Sequence, residues 1–435
     1  MVQQGIIQPV IPYPAVGKKV HMYPEDVLPW HPQPMEGDFT TNTRLQAIRL
    51  FEGEMDGSES VIVSPDGRAM MLNKFGGVFE AFETPDGRFE LNRTAKAWLG
   101  PGRPLGAAFD AHGNIIICDA LKGILMLEKD TNQVVILTNH VSSSSPLEPG
   151  SPILYANDLD VAKDGTVYFT TSVDITLHRN AQHHTRFTHV PSLLGRPGFW
   201  DTVKGWGLGM CQALPRGKLY RYDPVTKETH LIATGFYYSN GVAVSKDDDF
   251  LVISETDRLR LVKFWLKGGK AGQMEAGQME VMIDHMPGTP DGMARAPDGN
   301  FWFPLLAKIP PVTKVFHWPI IRMLLPVVPE TWRPQVHEWG AVVKVSPEGD
   351  VLEFLEDPQR ASFDEWPSSY RISSAHEHAG RLWLGALVAN FVSYVDLTNL
   401  APKPEPLPMT WRPPVGCVTP PCDGAQRRFF RKSEQ

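Results

Sequence analysis

Four residues carry side-chain oxygen at one repeated place in this chain: Glu59, Asn157, Asn240 and Asp291. Each stands seven residues before an aspartate of a turn, respectively Asp66, Asp164, Asp247 and Asp298. Carboxylate and amide oxygens are hard donors. A set with two formal negative charges and neither sulfur nor imidazole suits Ca²⁺, suits Mg²⁺ or Mn²⁺ less well, and does not suit zinc or copper. A single Asn or Asp ahead of a strand is ordinarily a turn or cap residue. Four at one offset, including a Glu, which is a poor turn former, point instead to a metal site.

The elements that must hold these donors follow from the residues between donor and turn. Leu159 and Val161, then Val167 and Phe169, alternate with the period of two of half-buried strands, and Asp164-Gly165 supplies the turn between them. Two further copies keep the turn without the donor, with Leu105 and Ile372 at the equivalent position. Six strand-turn-strand units spaced roughly 45 to 85 residues apart predict a radial repeat, because one small sheet cannot cover both of its own faces. The expected fold is all-β: a six-bladed β-propeller, the first strand of each blade lining a central channel, with the metal site at one mouth.

The segments Arg44-Leu45-Gln46 through Gly67, Gly102 to Gly106, Tyr155 to Tyr168, Ser239 to Glu255, Pro287 to Trp302 and His376 to Gly385 carry a resemblance. Together they make the chain similar to the strictosidine-synthase-like and adipocyte plasma membrane-associated protein family. These are calcium-dependent six-bladed propellers related to gluconolactonase/senescence-marker and paraoxonase-type hydrolases. The resemblance implies that a Glu and an Asn-Asn-Asp set hold the metal, which carries over onto Glu59, Asn157, Asn240 and Asp291. It also implies that Asp291 acts as base or direct nucleophile. Gly292 follows the ligand Asp where Asn is common, so one further donor is missing. Ser373 stands where the alkaloid-condensing members carry a catalytic Glu, which argues against a synthase.

The chemistry expected is calcium-dependent hydrolysis of small-molecule lactones or aryl esters, the metal polarising the carbonyl and stabilising the developing oxyanion. Calcium acidifies bound water less than zinc does, so a nearby base is required; Asp291 is the first candidate and His376 the second. His376 and His378 are two apart on a strand and face one side, as a proton shuttle or as hydrogen-bonded strand histidines. The alternatives are a binding or scaffold propeller with structural calcium and, third, a condensing enzyme.

The remaining features bound this reading. With 42% hydrophobic residues, 37 Gly and 39 Pro in 435, the composition is that of a turn-rich all-β chain. The net charge of -7, with no basic cluster outside the tail, argues against a nucleic-acid partner. Residues 1–40 read as a Pro-rich arm, 41–400 as the propeller and 401–435 as a tail. The sequence shows no secretion signal and no apolar run long enough to span a membrane, although the resemblance implies relatives that are often membrane-anchored or in the secretory pathway.

Two insertions interrupt the propeller. The one at about 174–214 holds His178, His183, His184, His189, Trp200 and Trp206; its spacings fit no zinc pattern, so it reads as a substrate-covering loop. The one at about 307–338 holds the apolar run 315–329, a lid or packed helix ahead of a peripheral membrane contact. Cys118 reads as a core thiol and Asp119 as a strand-end turn residue. Asn92-Arg93-Thr94 is a glycosylation triplet, and Cys417 and Cys422 pair only in an oxidising compartment.

Overall fold

The computed structural model describes residues 27, 30–173, 202–268, 275–309, 311–325, 328, 338–356 and 371–411. Six antiparallel sheets of four or five strands follow one another along the chain. Their inner strands are Val61–Val63, Pro104–Phe109, Ala156–Val161, Ser239–Val244, the broken strand Gly288–Pro290 with Ala294–Arg295, and Ile372–His378. Each inner strand lies against the inner strands of the two neighbouring blades, and the last lies against the first. The result is a closed six-bladed β-propeller.

Closure uses a strand that precedes the first blade. Ile48–Leu50 forms the outermost strand of blade 6, with Ile48 opposite Tyr394 and Leu50 opposite Val392. Between blades, period-two apolar residues of facing sheets meet: Ile62, Met70 and Leu72 of blade 1 pack on Ile115, Ile117 and Leu125 of blade 2. Full burial of each such side chain contributes about 1.5–3 kcal/mol. Cys118 is wholly buried on the other face of blade 2, with Ile116, Ile124 and Leu159, and Asp119 accepts the backbone N–H groups of Leu121 and Lys122, the work of a turn residue.

The inner strands of blades 2 to 6 share a defect that matters for the site. Ala156 pairs with Thr171 and Leu159 with Phe169, three steps against two. Pro104/Asp119 with Ala107/Ile117 and Ser239/Glu255 with Val242/Ile253 repeat this count. Pro290/Leu305 with Ala294/Trp302 gives four against three, and Ile372/Ala386 with Ser374/Gly385 gives two against one. One extra residue per inner strand leaves peptide groups unpaired and re-aims side chains. Leu105, Asn157, Asn240 and Asp291 all lie at this step.

In blade 6 the residue at this step is Ser373, which corrects the assignment of Ile372. Gly241 N donates to Asp291 O at 3.2 Å, and in the next pair of blades Gly292 N donates to Ser373 O at 3.0 Å, so Ser373 takes the place of Asp291. Ile372 is instead buried with Leu382 and Leu384. The reason lies in the hairpin: His378 pairs with Arg381 directly across the turn, whereas Val161 pairs with Val167 across a longer one, so counting back from the turn lands one residue early.

The two insertions each contribute a helix, α1 (Thr202–Gln212) and α2 (Pro319–Leu324). Arg322 Nη1 of α2 donates to Cys211 O of α1 at 3.2 Å, which joins them. Val315, Trp318, Ile320 and Leu324 are exposed around α2. No helix among the described residues is long and apolar enough to cross a membrane. His178, His183, His184, His189, Trp200, Cys417 and Cys422 lie outside the described residues.

Candidate metal centre at the channel mouth

All four predicted donors are buried, at 3–7% exposure, at the start of their inner strands. Asn157 Nδ2 donates to Ser172 Oγ at 2.6 Å, which leaves its Oδ1 for the cavity that Asn157 lines. Asn240 Nδ2 donates to Asp291 Oδ1 and, at 3.4 Å, to Thr256 Oγ1, while its Oδ1 is buried without a hydrogen-bond partner. The Asp291 carbonyl is held by Ser254 Oγ at 2.6 Å and by Gly241 N. Glu59 lies 3.4 Å from Arg103 Nη2, and its own carbonyl accepts Ser373 Oγ at 3.0 Å.

The electrostatics of the ring's own side chains are unfavourable. Burial pushes the Glu59 carboxyl up to about 7, only partly offset by the Arg103 guanidinium. Burial, then the charge of Glu59, pushes Asp291 well above the ordinary carboxylate range, against donation from Asn240. Two buried acids that repel each other, beside an amide oxygen with no donor, fit a hard cation. Among the described residues no three His, Cys, Asp or Glu side chains form a metal cluster; the candidate set combines two carboxylates with two amides.

A third acid, Asp158, was not singled out from the sequence. Its Oδ1 accepts Leu159 N at 2.9 Å, and its Oδ2 accepts Val242 N at 3.2 Å and Met293 N at 3.0 Å. One carboxylate thus ties blades 3, 4 and 5. Burial pushes it up to about 7 despite these donors. The residue after the donor position is glycine in blades 2, 4 and 5, and a Cβ on Gly106 would collide with Asp158 Oδ1. Gly292, read from the sequence as a missing donor, leaves room for Ser373 O, which a Cβ there would approach to 2.6 Å. The glycines opposite a lone Asp were the available signal.

Of the four predicted donors, Glu59 and Asn157 line a cavity of about 40 Å³ together with Asp158, Met293, Ser373 and His376, while Asn240 and Asp291 lie outside its lining. A water needs about 10–15 Å³ on this measure, so an ion and a few waters fit. Burial, then the neighbouring His378, pushes His376 down to about 4, so its ring is neutral at neutral pH. Over the mouth, the Tyr155 and Tyr238 hydroxyls are 2.8 Å apart, and Tyr155 donates to Thr202 O of α1 at 2.9 Å. Leu105 and Val173 pack with this pair.

The seat of α1 carries a pH dependence. Trp206 Nε1 donates to Asp257 Oδ1 at 2.8 Å, and Trp30 Nε1 donates to Asp257 O at 2.7 Å. Burial pushes Asp257 up to about 7. A raised folded-state pKa means that stability is full below the unfolded value, about 4, and is lost as the pH rises through about 7. Asp257→Asn is therefore expected to match wild type near pH 4 and to exceed it above pH 7, by on the order of 4 kcal/mol. Urea unfolding of both proteins across that range measures it; a difference that does not change with pH refutes it.

A closed six-bladed propeller with buried oxygen donors at one end of its channel defines the class of protein. Residues 55–308 match the SMP-30/gluconolactonase/LRE-like region, and the chain belongs to that family. It is 31% identical over 288 residues to Protein STRICTOSIDINE SYNTHASE-LIKE 13 of Arabidopsis thaliana, covering 65% of this chain and 61% of that one, less than two thirds of its length. It is 28% identical over 391 residues to the adipocyte plasma membrane-associated protein of Mus musculus, covering 84% and 82%. A solved gluconolactonase from Xanthomonas campestris aligns with a TM-score of 0.48 at 17% identity, over 84% of this chain and 96% of that one.

Proposed function

We propose that the protein is a calcium-dependent hydrolase of lactones or aryl esters acting at the channel mouth. The observation that carries this reading is the buried, unpartnered Asn240 Oδ1 beside two mutually repelling acids. Glu59, Asn157, Asn240 and Asp291 would hold the cation. With Glu59, Asp158 and Asp291 ionised and Arg103 opposing them, the formal charge is -3 + 1 = -2, which one divalent ion balances. Bound there, Ca²⁺, or Mg²⁺ or Mn²⁺ in its place, supplies Lewis-acid polarisation of a carbonyl and charge for the oxyanion.

The protein residues divide the remaining work. Asp291, held by Asn240 and by its own backbone bonds, serves as base or nucleophile, and Glu59 is a ligand that anchors the metal. His376, neutral in the cavity wall, is the second candidate for proton transfer. The family name supports a lactone, and the apolar side chains of the 315–329 segment support an acyl or aryl substituent under a lid, ahead of a membrane contact. A scaffold with structural calcium is favoured by one fact, that Asp158 and Arg103 each tie several blades together. Hydrolysis of phenyl acetate and of γ- and δ-lactones, with Ca²⁺ and with EDTA, separates the readings. Turnover that needs calcium is expected; a protein that calcium stabilises but that turns over none of these substrates is a binding propeller.

A further inference from the structure

We infer that Arg103 is a positioning residue that fixes the Glu59 carboxylate for the cation, an inference that rests on the reading of the ring as a metal centre. Arg103 precedes the inner strand of blade 2 and is 1% exposed. Its Nη1 donates to Gly57 O at 3.0 Å, and its Nη2 donates to Leu387 O at 3.1 Å and to Glu59 Oε2 at 3.4 Å. Gly57 belongs to the start of blade 1, and Leu387 follows the second strand of blade 6, Arg381–Ala386. One guanidinium therefore spans the seam where the ring closes and ends on a predicted metal ligand.

Taking a guanidinium out of water costs several kcal/mol unless carbonyls or carboxylates surround it, and a cation placed near a cation site repels the ion. Its presence there needs a compensating role. The planar fork meets two fixed carbonyls, so the direction of the Nη2 N–H that faces Glu59 is set by the backbone of two other blades. That N–H holds Glu59 Oε2 and leaves Oε1 for the ion. Gly57 is part of the device: its φ is +56°, and a Cβ there would come within 2.9 Å of Leu387 O. Substitution of Gly57 would spread the two carbonyls that Arg103 bridges.

The test uses Arg103→Lys, which keeps the charge without the fork, and Arg103→Met, which keeps bulk without charge. Calcium affinity is read by titration calorimetry, and stability by melting in EDTA. Both variants are expected to bind Ca²⁺ about 10–100-fold more weakly, as loss of an outer partner of a ligand does. Tighter binding by Arg103→Met with unchanged binding by Arg103→Lys would mean that the guanidinium acts only by repulsion. A lower melting temperature with unchanged affinity would mean that it only closes the ring. Either result overturns the inference while leaving the metal reading intact. If neither variant folds, a crystal structure of the calcium-loaded wild type decides: Arg103 Nη2 on Glu59 Oε2, with Glu59 on the ion, is expected, and Arg103 turned away from Glu59 refutes it. A wild type that takes up no calcium overturns both readings together.

Discussion

Asp291→Asn is expected to abolish calcium-dependent hydrolysis and, at the same time, to raise the melting temperature of the protein in EDTA. The two effects share one cause. Asp291 is buried beside Glu59, and the charge that makes it a base also destabilises the ring whenever no cation is bound, as in EDTA. Asn keeps an oxygen to accept Asn240 Nδ2 but removes the repulsion. Loss of a positioned base typically costs about 10²–10⁴ in rate. The stabilisation that calcium confers on wild type, about 2.7 kcal/mol at a hundred times Kd, should shrink toward zero in the variant. Thermal melts with EDTA and with Ca²⁺, beside initial rates on the ester and lactone panel, measure all three quantities. A variant that retains turnover, or that melts lower than wild type in EDTA, excludes Asp291 from this role.

The second large effect is structural. Asp158→Ala strands the backbone N–H groups of Leu159, Val242 and Met293, which belong to three blades. Each buried donor left without an acceptor costs on the order of 1–3 kcal/mol, so the variant should lose several times that of an average substitution, about 1 kcal/mol. Asp158→Asn keeps one oxygen but points an NH₂ group at amide donors, and should fall between the two. Urea unfolding in EDTA gives the comparison. A loss by Asp158→Ala no greater than that average would show that water replaces the carboxylate and that the blades do not depend on it.

The family and the six-unit repeat were legible because the signals are local. A strand places alternate side chains on alternate faces, and a turn aspartate marks where the strand ends, so an offset of seven recovers equivalent positions in blades 1, 3, 4 and 5. The same arithmetic misplaced blade 6, where the tighter hairpin and the extra residue shift the count from Ile372 to Ser373. A bulge is a property of pairing between two strands, and no residue type announces it.

By itself, then, the sequence determined the fold class, the number of blades and the shared position of four oxygen-bearing side chains. The tertiary structure decided that Ile48–Leu50 closes the ring, that Asn240 presents an unpartnered oxygen, that Asp158 joins three blades and that Arg103 reaches Glu59 across the seam. The first group rests on strand period and turn chemistry, which act over a few residues. The second rests on partners brought together only when the sheets close into a ring, where the low dielectric of the interior makes each buried charge depend on groups from other blades.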